Sequence, residues 1–286
     1  AAESAARLNA ISPDALAAIY TALGPTANAQ TIVSDASGLS GAPRRAALFK
    51  AAETEPAPMM KAQLIRALLD DAREHGLSFP VLRMAARATT QIPIQPDLSW
   101  FIDTAAEIGI ASANYKMTYD WVALGQNAGA KNAGAKDGYT HWLALADIAG
   151  ANLEPQGQHL RELEVLAQRG RFTADGLHRL ITVLDALQYM VPIPLWEVAN
   201  RSPQPSTGYL PETGVLTELQ QAASKKEFGH TVLLVMKALG PTGAEGANLI
   251  ALGDSIRALK RSDLEADARR LGLEALIATW PRAAAK

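Results

Sequence analysis

The sequence predicts an all-α protein, and three observations carry that prediction. Apolar residues recur with helical periodicity. Helix start and stop signals punctuate the chain at short intervals. Alternating runs of β-branched residues are nearly missing; TIV (31–33) and TVLLV (231–235) come closest, and the second lies inside a longer helical pattern.

Along the chain, Ser12-Pro13-Asp14 opens a helix. Serine offers a capping oxygen, proline suits the first helical position, and aspartate complements the helix dipole. The run KAQLIRALLDDAREHG (61–76) places Leu64, Ile65, Leu68 and Leu69 on one stripe with charges opposite, and Gly76 stops it. RELEVLAQRG (161–170) reads alike and stops at Gly170, after which Thr173 caps TADGLHRLITVLDALQ. Near the end, Ser262-Asp263-Leu264-Glu265 has the spacing of a capping box before DARRLGLEALIATW (267–280). The pentapeptide ALGPT occurs at 22–26 and 238–242, each time after an apolar helical run. Its glycine is expected in the left-handed terminal position, and its proline forbids continuation.

These signals predict roughly a dozen helices joined by short loops. Short connections make consecutive helices antiparallel neighbours. The expected architecture is an irregular α-solenoid of stacked antiparallel hairpins, a degenerate relative of tetratricopeptide-like repeats, with a compact multi-helix bundle as the alternative. Two stretches interrupt the pattern. GQNAGAKNAGAKDG (125–138) repeats NAGAK in tandem without an apolar anchor and predicts a loop between helices. NRSPQPSTGYLPETG (200–214), rich in proline and serine, predicts a linker or crossing segment. The expected organisation is a helical-repeat region over 1–200, a linker over 201–214, and a C-terminal helical subdomain over 215–286 that is continuous with the first region or separate from it.

Composition narrows the function. A formal charge of -2 and a pI near 6.3 argue against a nucleic-acid binder. No polybasic run points to an anionic membrane, and the longest apolar runs, such as TVLLVM (231–236), fall far short of a transmembrane helix. Without cysteine, disulfides, thiolate-bound zinc and a cysteine nucleophile are closed. The chain begins AAESAARLNA without methionine. A mature exported protein fits that start, as does a trimmed chain, so a periplasmic or secreted location is expected, with a cytoplasmic one as the alternative.

Each motif with chemical potential has a plainer reading beside it. Asp70, Asp71 and Glu74 have a DDxxE spacing that could chelate a hard cation; they equally describe a solvated helix end. Glu227-x-x-His230 and Asp175-x-x-His178 share the spacing of di-iron bundles, but no partner glutamates are evident. GDSI (253–256) lies in a helical neighbourhood unsuited to a hydrolase nucleophile. GPTGAEG (240–246) lacks the ending of a phosphate-binding loop and reads as a helix–helix turn. Trp100, Trp121, Trp142, Trp196 and Trp280 are core candidates by size, and His141 and His159 read as hydrogen-bonded structural histidines.

From about Gly170 onward, LITVLDALQYMVPIPLW (180–196), VLLVMKALGPTGAEGAN (232–248) and IRALKRSDLEADARRLGLEALIA (256–278) resemble a family of Ala-rich, secreted helical proteins of alphaproteobacteria. The resemblance covers the last third of the chain. It implies an exported helical protein without an established activity and transfers no catalytic residue.

The expected function is a non-enzymatic, exported helical-repeat protein that scaffolds or docks a protein complex in the bacterial envelope, with no cofactor and no metal. Its candidate partner surface is Asn127, Lys131, Asn132, Lys136, Tyr139, His141, Trp142 and Tyr209, aromatic anchors beside a polar loop. The alternative is an all-α enzyme or hydrophobic-ligand carrier with a site in a helical cavity, using Asp70, Asp71 and Glu74 or the two carboxylate-x-x-His motifs.

Overall fold

The computed structural model describes residues 1–131, 139–151, 157–205 and 207–282. Among these residues the chain is all-α, with seventeen α-helices, one 3-10 helix, an isolated β-bridge and no strand. No helix among them is long and apolar enough to cross a membrane. The chain divides into two compact units, 1–142 and 143–282. The division therefore does not fall at the Pro/Ser-rich stretch 201–214, which lies inside the second unit.

The first unit holds α1 (Ala2–Arg7), α2 (Pro13–Leu23), α3 (Ala29–Val33), α4 (Gly41–Thr54), α5 (Pro58–Glu74) and α6 (Ser78–Thr90). The 3-10 helix Pro96–Phe101 follows, then α7 (Ile102–Ala111) and α8 (Tyr115–Lys131). From α4 to α8 each helix packs on its chain neighbours, as short connections require. The apolar stripe of α5 is fully buried at Leu64, Ile65, Leu68 and Leu69. Every residue of α7 is buried, so its polar side chains need internal partners. Trp142 Nε1–H donates to Asp103 at 2.7 Å, Arg66 donates to Thr104 at 3.0 Å, and Arg73 donates to Glu107 at 2.5 Å.

A second polar hub locks the N-terminus. Arg45, buried on α4, donates to both oxygens of Glu3 (2.9 and 2.7 Å) and to Asp71 (2.5 Å). Tyr20 donates to Glu3 at 2.6 Å, and Arg44 donates to Asp71 at 2.7 Å. This network joins α1, α2, α4 and α5.

After α9 (His141–Ala149), the second unit contains α10 (Leu160–Gln168), α11 (Ala174–Ala186), α12 (Ile193–Arg201) and α13 (Val215–Ser224). α14 (Phe228–Leu239), α15 (Gly243–Gly246), α16 (Leu249–Arg261) and α17 (Glu265–Ile277) complete it. Packing here is less sequential: α16 lies against α11, α13, α14 and α17. Its buried Ala251, Gly253, Ser255 and Ala258 are small, which lets several helices approach it.

Local punctuation follows the residues, with informative exceptions. Ser12 accepts from Ala15 N–H, and Thr173 accepts from Gly176 N–H. Gly76 and Gly170 take positive φ, and the next residue's N–H returns to the carbonyl five positions back, at Ala72 and Leu166. TIV is helical as part of α3, because Asn28 caps it through Gln30 and Thr31 N–H. The capping box at 262–265 does not form. The Ser262 hydroxyl is buried against Ala223 O and Thr231, and Leu264 takes the N-cap position instead.

The two ALGPT copies also differ. Gly24 is extended (φ -66°), whereas Gly240 has φ 73° with an extended ψ of -168°, so neither adopts the left-handed helical conformation. At Gly240 the reason is packing: a Cβ there would lie 2.3 Å from the Tyr209 ring. Tyr209 is held by its own backbone, its N–H donating to Gly246 O and its carbonyl accepting from Asn248 N–H.

Candidate functional site

The expected aromatic surface is largely interior. Trp142 and His141 are buried, and their ring centroids lie 5.3 Å apart with the planes tilted by 37°. Trp142 spends its indole N–H on Asp103, so core packing accounts for it. Tyr139 is half-buried against Gly125, where a Cβ would meet its ring at 2.3 Å; burial and the nearby Asp103 charge push its phenol pKa up. The glycine expected to open a loop is therefore a packing residue, and α8 continues through it to Lys131. Asn127 is exposed on α8, and Lys131 is its last residue. Asn132 and Lys136 lie outside the described residues. Tyr209 shows part of its ring but leans on Gly240.

The alternative enzyme residues are not brought together. Asp70 pairs with Arg66 and Arg73, while Asp71 pairs with Arg44 and Arg45, so neighbouring carboxylates serve different arginines. Asp175 pairs with Arg179 at 2.7 Å, and His178 faces the Ser202 carbonyl at 3.4 Å. Ser255 of GDSI is buried in mid-helix. Among the described residues, no group of three or more His, Asp and Glu side chains is arranged to hold a metal ion.

A polar cluster in the second unit centres on Arg269. Arg269 Nη1 donates to the carbonyls of Asp147 (3.1 Å) and Ile148 (3.3 Å) and to Tyr189 Oη (2.9 Å). Tyr189 O–H donates to the same Asp147 carbonyl at 3.1 Å. Burial raises the Asp147 carboxyl pKa, opposed by Gly157 N–H, which donates to it at 2.6 Å. These bonds satisfy the last carbonyls of α9, a helix-capping role.

What the helices leave unspent is the outer face of α14. Thr231, Leu234, Val235, Ala238 and Leu239 are buried against its neighbours. On the other side Phe228 is 51% exposed, Val232 40%, Leu233 66% and Met236 65%. At about 100° per residue these four, with Gly229 among them, span an arc of about 140°. The remaining edge carries Lys237 and His230. His230 bridges two carboxylates: Nδ1 lies 2.9 Å from Glu227 and Nε2 3.3 Å from Glu218 on α13. The Glu227 hydrogen bond, helped by both negative charges, raises the His230 pKa, and the same bond lowers that of Glu227. Lys237 reaches Glu212 at 3.2 Å.

The sequence does carry a signal for this face. FGHTVLLVMKAL is apolar around most of its circumference, and a helix of that kind is ordinarily buried on all sides. Which side stays uncovered depends on where α13, α15 and α16 pack, and periodicity does not contain that. Comparison with protein-family models, with curated proteins and with solved structures finds no match for this chain.

Proposed function

We propose that the chain is a helical docking protein whose contact surface is the outward face of α14. The observation that carries this reading is the contiguous apolar stripe of Phe228, Val232, Leu233 and Met236 on one side of α14, edged by charged groups. Contiguous apolar exposure with a polar rim is the pattern of a protein-contact surface. Further support comes from Asp70, Asp71, Asp175 and Glu227 of the alternative enzyme reading, each of which is paired with a local arginine or histidine. The envelope location expected from the sequence belongs to the same proposal.

The chain's lack of cysteine makes a clean test available. Met236→Cys introduces one thiol on the stripe, and Ser4→Cys introduces one on an exposed position of α1 as control. In an extract of the producing cell, thiol labelling of the Met236→Cys chain should be at least tenfold slower than of the Ser4→Cys chain. Equal labelling of the two in every preparation refutes the docking reading.

A further inference from the structure

The turns between helices keep a register that helix lengths alone conceal. Gly76, Ala113, Gly150, Gln188, Lys226 and Asp263 all take positive φ, and each stands 37 or 38 residues after the one before. At every one of them the turn residue's N–H donates to the carbonyl three positions back, at 2.9–3.2 Å. At all but Ala113 the following N–H returns to the carbonyl five positions back. Asn9, Asp35 and Gly170 make the same turn outside that register, so turn chemistry by itself does not set the spacing.

The flanking helices repeat with the turns. Seven residues before each turn stand Leu69, Ala106, Leu143, Ile181, Leu219 and Ile256, all buried. Four before, every residue is buried again; eleven before, only Tyr139 is partly exposed. After the turn, α6, α8, α14 and α17 each begin two residues on. In all four the fifth, eighth, ninth and twelfth positions after the turn are buried, the fifth being Val81, Thr118, Thr231 and Ala268. These positions form one helical stripe, so the same face turns inwards each time. The arm after Gly150 runs through residues 152–156, outside the described ones. α12 departs for a reason in its sequence. A helix begun at Met190 would need Pro194 to donate to the Met190 carbonyl, and proline has no N–H. α12 therefore starts at Ile193, and Ile193 and Trp196, fifth and eighth after the turn, are exposed instead of buried.

We infer that from α5 to α17 the chain is a tandem array of one helical-hairpin module of 37–38 residues. A module of this length cannot bury its apolar stripe alone and is covered by its neighbours. The array also separates what the hairpin requires from what it does not. Seven residues after the turn, α6, α8 and α17 carry Arg83, Asp120 and Arg270, whereas α14 carries Leu233, 66% exposed. The leucine is thus no requirement of the module. Resting on the docking reading above, the array makes Leu233 the residue that sets α14 apart as the contact helix.

Thermal unfolding of the full chain tests the register turn by turn. Glycine is native at 76 and 150, so Ala113→Gly, Gln188→Gly, Lys226→Gly and Asp263→Gly should each raise the melting temperature by about 1–3 °C. One position earlier the backbone is helical, and Ser112→Gly and Lys225→Gly should lower it. A fall at any of the four turn positions, or a rise at either neighbour, overturns the array. Leu233→Arg installs the residue of α6 and α17 in α14, and its melting temperature should stay within about 2 °C of wild type. A larger fall makes Leu233 part of the core and overturns its assignment. In extract, Leu233→Arg should return the labelling of Met236→Cys to the rate of the Ser4→Cys control. Protection of Met236→Cys that persists beside Leu233→Arg overturns the role of Leu233 and keeps the docking reading. Labelling of Met236→Cys at the control rate with Leu233 in place refutes the docking reading and leaves the array standing.

Discussion

Arg45→Ala is the substitution whose cost the structure specifies best. The guanidinium is buried and makes three charge-assisted bonds, two to Glu3 and one to Asp71. Removing one partner of a buried ion network costs about 3–5 kcal/mol, because the remaining charges stay desolvated. Two features place Arg45→Ala at the low end. Asp71 keeps Arg44 at 2.7 Å, and Glu3 lies on α1, a six-residue helix that can detach and rehydrate its carboxylate. About 3 kcal/mol in a unit of this size corresponds to a fall of about 10 °C in melting temperature. The assay is thermal unfolding by circular dichroism, with hydrogen exchange on α1 to detect its release.

Acid supplies a second reading of the same network. Burial opposes ionisation of Glu3, but the hydrogen bonds from Arg45 and Tyr20 outweigh it and hold the pKa below the usual glutamate value. The stability this provides is present above the unfolded glutamate pKa and is lost as pH falls through the depressed folded value. The gap between wild type and Arg45→Ala should therefore narrow below about pH 4. A melting temperature within about 3 °C of wild type at neutral pH, or a gap constant down to pH 2, refutes the reasoning.

Four other outcomes follow from named contacts. Gly125→Ala drives a methyl into the Tyr139 ring and should cost about 1–3 kcal/mol in urea unfolding. Gly240→Ala meets the Tyr209 ring while imposing a positive φ on alanine, so it should cost more than about 1 kcal/mol, and Tyr209→Ala should relieve only the steric part. Trp142→Phe keeps the ring but removes a 2.7 Å N–H bond to buried Asp103, with an expected loss of about 1–3 kcal/mol by the same measurement. In an NMR titration His230 should protonate above the ordinary histidine range, and Glu227→Gln should bring it down. Because the folded value is raised, the clasp to Glu218 and Glu227 is strongest below the unfolded histidine pKa and is lost as pH rises through the folded one.

Helical periodicity made the fold class legible, and where a start or stop depended on local chemistry it was legible too. Ser12, Thr173, Gly76 and Gly170 act through neighbours within a few residues, which is the range a sequence pattern contains. The misses share one cause: a distant group took the residue over. Ser262 was drawn from its capping box by Ala223 O and Thr231, both more than thirty residues away in the chain. Gly125 resembled a loop residue because the Tyr139 ring that requires it lies beyond the NAGAK repeat. The short α1, α3 and α15 carry too few residues to display a period.

The candidate surface was harder to read for a related reason. An aromatic group such as Tyr139–Trp142 looks the same in sequence whether it faces a partner or the interior. What decided it was Asp103 on α7, whose buried carboxylate accepts the indole N–H. The reverse holds on α14. Leu233 and Leu234 are adjacent and chemically identical, yet one is exposed and the other buried. An apolar helix can turn either side towards its neighbours, and the orientation here matches two polar contacts, one at its edge and one on its buried face. His230 must reach Glu218 on α13, and Thr231 must meet the buried Ser262 hydroxyl after α16. Both contacts agree with the rotation that buries Leu234, Val235, Ala238 and Leu239, and Phe228, Val232, Leu233 and Met236 are the residues that rotation leaves outside.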